Sequence, residues 1–376
     1  MNRRIPLLLI LLAAIVPAGA CQVPVFRYAL ERWEADDYRI VVLEEGVPEG
    51  STKALVEQLN SASRHVEGGT GNANLVVEVA DVENLTDAQQ WSLLGWEDLK
   101  SFPAMQAYYP ESTGIENPLW QGELSSETIG RLLDSPMRNI LVERIVAGDS
   151  AIWLLVESGD PLADAEAESK LTSYLSLAES TLEIPDGVIR PEDLDRAINT
   201  SEKPLEMDDV LRSRIPLKIG FSVLKLNPAD PAEAIFHKML THEVPGAAGQ
   251  AIAVPVFGRG RMMPGIPALR LSESSIAKAA SYLCGACSCQ VKEQNPGIDL
   301  LVAADWASHM QDGLIVTERQ LPPLFGAGDI AAQKTTPNPA APEAGAARWG
   351  FRSLWLVAGA GILVAFAGSV FVLRKA

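Results

Sequence analysis

Short apolar runs recur along the chain, separated by amphipathic stretches, and their spacing is the first guide to structure. Residues 38–44 (YRIVVLE) are β-branched and short enough for a buried strand. A turn, EGVPEG, follows. Ser51 then caps a helical pattern in which Leu55, Val56 and Leu59 share a face, and residues 74–82 (NLVVEVADV) form the next strand. A helix is predicted over 88–99, strands over 104–109 (AMQAYY) and around 119–124, and a helix opened by Ser125 with Ile129, Leu132 and Leu133 turned inward. The order is β-α-β-α-β-β-α.

The second half repeats this pattern. Residues 151–159 (AIWLLVESG) predict a strand and 163–182 a long amphipathic helix. After an irregular acidic stretch, 217–226 (LKIGFSVLKL) is a strand and 232–241 a helix; 251–258 (AIAVPVFG) then turns through Gly260 to 267–271 (PALRL), and a last helix opens at Ser272. The junctions LSSETIGRLL (124–133) and LSESSIAKAA (271–280) share Leu-Ser, an Ile five residues after the Leu, and a basic residue two later. Each Ser is a predicted N-cap and each Ile the first core residue of its helix. The match reads as a remote duplication or as convergence on one strand-to-helix junction.

Both ends are apolar. Asn2-Arg3-Arg4, an apolar run over 5–16 and the small residues Ala18-Gly19-Ala20 predict an export signal cleaved before Cys21. A cysteine at that place also fits lipoprotein processing, although Ala18 stands where such signals usually carry Leu. Residues 354–373 are uncharged for about 20 positions, with Trp349 and Trp355 near the start and Arg374-Lys375 at the end, which predicts a transmembrane helix. The expected layout is a signal at 1–20, a first domain at 21–140, a second at 141–325, a Pro/Ala-rich linker at 326–353, the membrane helix at 354–373 and a cytoplasmic tail at 374–376. The body would lie outside the cytoplasmic membrane, on its periplasmic side. A formal net charge of -17 argues against nucleic acid and against docking flat on anionic lipid, leaving a protein partner at the membrane surface as the expectation.

The element order resembles the thioredoxin fold, and Phe102-Pro103, placed before the third strand, stands where that family has its cis-proline. The resemblance implies an α/β class with two thioredoxin-like domains, the second divergent. In that family a CxxC motif opens the helix after the first strand. Here EEGVPEGS (44–51) and, in the second half, ESGDPLADAE (157–166) occupy that place without cysteine, so the resemblance implies a redox-inactive form. The whole layout is also similar to uncharacterised bacterial secreted, C-terminally membrane-anchored proteins, a resemblance that carries no activity.

Candidate chemistry is confined to four cysteines. Cys284, Cys287 and Cys289 form a CxxCxC cluster at the end of a helix predicted over 274–283, and Cys21 is the fourth. An exported protein is beyond the cytosolic reductant, so Cys284 and Cys287 are expected to close a small disulfide loop, with Cys289 and Cys21 free or paired with each other. The sharper alternative is a thiol-redox or thiol-metal site, in which the three thiols hold Zn or Cu(I) and Cys21 or a histidine supplies the fourth ligand. The negative end of a helix opposes a thiolate, which argues against a disulfide-exchange catalyst. His65, His237, His242 and His309 are scattered, and Asp36-Asp37 and Asp208-Asp209 read as solvated charges. GRGRMMPG (258–265) reads either as an anion-binding loop or as a tight hairpin. No catalytic residue set is predicted, and no cofactor besides the alternative metal.

Overall fold

Each half of the chain builds a sheet whose central strands are buried on both faces, while its edge strands are partly exposed. The computed structural model describes residues 21–311 except 67–69, 202–204, 243, 245–246 and 288–289. Contacts divide the chain into Met1–Val316 and Thr317–Ala376, and the described residues belong to the first unit. The expected export signal, linker, membrane helix and tail, and Cys289, lie outside them. Among the described residues no helix is long and apolar enough to cross a membrane.

Helix α1 (Val25–Arg32) precedes β1 (Tyr38–Glu44), α2 (Gly50–Ala62), β2 (Leu75–Asp81), α3 (Asp87–Ser92), β3 (Ala104–Tyr108), β4 (Pro118–Glu123), α4 (Ser126–Leu133) and α5 (Pro136–Val146). The first sheet has the order β2-β1-β3-β4. β1 runs parallel to β2 and antiparallel to β3, which pairs antiparallel with β4. Alternation along β1 splits its side chains: Tyr38, Ile40 and Val42 enter the main core, while Val41 and Leu43 enter a smaller cluster with Ala80, Leu93, Ala104 and Tyr108. The Phe102-Pro103 peptide is cis. The helix predicted over 88–99 is shorter: the Thr86/Gln89 capping box opens α3, but Gly95 takes φ 70 and only a 3-10 turn, Trp96–Asp98, follows.

The second sheet is formed by β5 (Ala151–Val156), β6 (Phe221–Leu226), β7 (Ile252–Phe257), β8 (Arg261–Met262), β9 (Ile266–Pro267) and β10 (Ile298–Asp299). Its order is β10-β8-β7-β5-β6, with β9 also on β7. β5 runs parallel to β6 and antiparallel to β7, the same local order as the first sheet. Helices α6 (Pro161–Thr181), α7 (Leu194–Thr200), α8 (Ala234–Thr241), α9 (Glu273–Cys284) and α10 (Trp306–Gln311) complete it. The strand expected at 267–271 is instead the short β9 and a 3-10 turn, Ala268–Arg270. β5 divides its side chains as β1 does, with Ile152, Leu154 and Val156 in the main core and Trp153 and Leu155 against Leu171, Leu175 and Ile276.

The two helix junctions that match in sequence also match atom for atom. Ser125 accepts from the Thr128 N–H and Ser272 from the Ser275 N–H; the hydroxyls of Thr128 and Ser275 accept from the Ser125 and Ser272 N–H groups and donate to the carbonyls of Glu123 and Arg270. Ile129 and Ile276 are both fully buried.

Candidate functional site

The cysteines converge where the start of the described chain meets the end of α9. Pro24 and Ala286 form an antiparallel bridge, with the Val25 N–H donating to Gly285 O and the Cys287 N–H to Val23 O, each at 3.0 Å. Cys21, Cys284 and Cys287 are buried in one cluster with Val23, Phe26, Tyr28, Trp33, Leu211 and Phe257. Cys21 and Cys284 stand as thiols in this structure. Burial pushes the Cys284 thiol up to about 12, against the opposing effect of a hydrogen bond with Ser150. Burial also raises Cys21, with Asp209 and Asp208 adding to it and the Val23 backbone and Arg32 opposing. The direction agrees with the helix-dipole expectation, but the cause is loss of solvent. Among the described residues no group of three or more His, Cys, Asp or Glu side chains gathers to hold a metal. Cys289, part of the alternative Zn or Cu set, is outside them.

A polar clamp surrounds this cluster. Glu31, buried on α1, pairs with Arg27 at 2.9 Å and accepts from the N–H groups of Arg212 and Ser213 at 2.7 and 3.0 Å. Arg27 in turn donates to the carbonyl and hydroxyl of Ser213. Asp208-Asp209, expected to be solvated, belong to the same assembly: Cys21 Sγ donates to Asp208 O at 3.1 Å, and the Gln22 N–H to Asp209 Oδ1 at 2.6 Å. Asp36 is also structural. It accepts from Lys292 Nζ and from Ser112 Oγ at 2.6 Å, and its N–H donates to Asp299. Burial works to raise the Asp36 carboxyl, but hydrogen bonds from Lys292 and Ser112 and the charges of Lys292 and Arg261 hold it below its usual range.

The arginines of GRGRMMPG are consumed internally. Arg259 donates to Leu30 O and pairs with Glu34, while Arg261 pairs with Asp299 and donates to Asn295 O and Pro296 O. The glycines serve the hairpin: Gly258 has φ 60, and a Cβ there would stand 2.8 Å from that of Ala29. His65 pairs with Asp37 at 2.7 Å on the surface. Among the described residues no histidine belongs to a group that could hold a metal.

The loops after β1 and β5 are closed by carboxylates. Asp81 accepts from the N–H groups of Gly46 and Glu83 and from the Asn84 amide. Asp164, buried in the first turn of α6, accepts from Ser158 N–H and hydroxyl and from Gly159 N–H. These loops also present apolar side chains: Val47 is 82% exposed and Leu162 85%. Leu269, 88% exposed, lies at the same end of the second sheet as Leu162, because Val156 faces Ile252 and Ile252 faces Pro267. At the corresponding end of the first sheet, Val82, Leu85 and Trp96 line a concavity of about 470 Å³ flanked by Glu83 and Glu97. Sequence reasoning located these loops but not their exposed apolar residues; a large aliphatic residue inside a Gly/Pro/Asp turn was the available signal.

No family model matches this chain, and no curated protein compared with it does.

Proposed function

We propose that the described body is a pair of thioredoxin-like units without the family's cysteine motif, working as a membrane-anchored binding or assembly module on the outer face of the cytoplasmic membrane. The shared 2-1-3-4 strand order, repeated as β2-β1-β3-β4 and β6-β5-β7-β8, supports the fold reading. The observation that carries the binding reading is the loop chemistry: Asp81 and Asp164 hold the loops in place of cysteines, while Val47, Leu162 and Leu269 are left facing solvent. Large aliphatic side chains held this far out on ordered loops gain by burial against a partner, about 1.5–3 kcal/mol each when fully covered. The partner expected is another envelope protein.

A photo-crosslinking amino acid placed at 162 or 269 of the full chain in its native membrane tests this. The expected result is a discrete protein adduct at both positions, none with the same probe at the exposed Glu192, and loss of the adduct at 269 when Leu162→Asp is added. Equal labelling at all three positions, or none at any, would count against a binding face at this end.

A further inference from the structure

We propose that leader removal before Cys21 creates a structural cation, the α-ammonium of Cys21, which the Asp209 carboxylate captures to lock the start of the mature chain. The proposal rests on the export part of the preceding reading and does not depend on the binding face. The step is hydrolysis of the Ala20–Cys21 peptide bond by water in a leader-cleaving peptidase. The new carboxylate departs with residue 20, and the amine released on Cys21 takes a proton.

The receiving site is built from described residues. Cys21 is only 4% exposed, its thiol bonded to Asp208 O and its side chain packed among Val23, Tyr28 and Leu211. The next N–H along the chain, that of Gln22, already reaches Asp209 Oδ1 at 2.6 Å, so an ammonium on Cys21 is one residue from this carboxylate. Gly187, at φ 97, brings the 182–188 segment over Gln22, and a Cβ there would meet Gln22 Cγ at 3.1 Å. A charge made in such a place needs a partner, because an unpaired buried ion costs several kcal/mol.

The neighbouring charges single out Asp209. Asp208 faces Arg32 at 4.0 Å and accepts from the Gln290 amide at 3.1 Å. Arg32 also donates to the carbonyls of Asp208 and Val210 and pairs with Glu31, which is itself engaged by Arg27. The Tyr28 hydroxyl, raised by burial and by Asp208, supplies no cation. Asp209 is therefore the carboxylate beside Cys21 that no side-chain cation approaches among these described ion pairs.

Burial and the nearby Arg32 oppose a charged amine, and pairing with Asp209 has to outweigh both for the pKa of the amine to stand above the usual value of about 7.7–8.0. The resulting stability is fully present below about pH 7, as long as Asp209 is ionised, and is lost as pH rises through the raised value.

The test compares two full chains in detergent, one starting at a free Cys21 and one with Gly-Ser added before it. At pH 6.5 the free-amine chain is expected to melt about 2–4 °C higher, with the gap closing towards about pH 10. Asp209→Asn should abolish the gap and Asp208→Asn preserve it; N-terminal acetylation of the free-amine chain should reproduce the Gly-Ser result. Equal melting of the two chains, or a gap that survives Asp209→Asn, overturns the proposal. Mass analysis of the chain expressed with its own leader is the separate check on export. An unmodified terminus at Cys21 supports the proposal, whereas an uncleaved chain or an acylated amine overturns it, and neither outcome bears on cross-linking at Leu162.

Discussion

The Cys284 thiol shows how strongly burial governs a single residue. Its side chain is 1% exposed, and burial outweighs the Ser150 hydrogen bond to hold it protonated up to about 12. At neutral pH the thiolate fraction is then about three orders of magnitude below that of a free cysteine of pKa about 8.5. In the folded chain Cys284 is expected to resist iodoacetamide at pH 7 and to react at an ordinary rate only after denaturation; labelling followed by mass analysis decides this. Folding stability should feel the same shift. Above about pH 8.5 the unfolded thiol ionises while the native one keeps its proton, so stability falls as pH rises towards the native value. Cys284→Ala should remove that part of the decline, at a cost of about 1–2 kcal/mol at pH 7 from the lost sulfur. Rapid alkylation of the native chain would show that the cluster opens to solvent.

At the scale of elements, α1 is held by charge as much as by packing. Glu31 serves Arg27 and the N–H groups of Arg212 and Ser213 together, so Glu31→Ala leaves a buried guanidinium without its counter-charge and two backbone donors without their acceptor. Chemical denaturation should record a loss of about 3–5 kcal/mol. The double change Arg27→Met with Glu31→Leu should recover only part of it, because the two N–H groups stay unserved. This element also marks where the sequence stops being legible. The strands were readable because a run such as YRIVVLE or AIWLLV has one natural length and two covered faces. Helix α1 was not read: Arg27, Glu31 and Arg32 give it a polar side, yet Val25 to Glu31 are all buried, because that side is met by Arg212 and Ser213 from a distant segment and not by solvent. Helix α5 was missed as well, although Ser135 caps it and Pro136 opens it. Arg138 is 2% exposed and donates to the carbonyls of Leu132, Leu301 and Arg131, with burial lowering its pKa to about 10. The cysteines were legible as a cluster and not as buried thiols, since only tertiary structure brings Cys21 to the end of α9.

At the scale of the molecule, the two sheets share one hydrophobic core and are also joined by a charged junction. Ile40, Val42 and Met105 belong to the same cluster as Ile152, Leu154 and Val254. Beside it, Asn74 donates to Asp36 O and Leu300 O and accepts from the Val302 N–H. Asp36, leading into β1, is gripped by Ser112 of the first half and by Lys292 of the second, and Lys292 also reaches Asp299, the partner of Arg261. Each half thus supplies ligands for the other's carboxylates. Because the Asp36 carboxyl is held below its usual range, its contribution to stability is present above the unfolded value near 3.9 and is lost as pH falls through the native one. Asp36→Asn should therefore lower the melting temperature at pH 7, and the gap to the parent chain should close below about pH 4. Lys292→Met, which removes the cation from two carboxylates, should cost more than Asp36→Asn at pH 7. A gap for Asp36→Asn that stays constant down to pH 3 would mean that the carboxylate charge does not hold the halves together, and that the shared apolar core alone does.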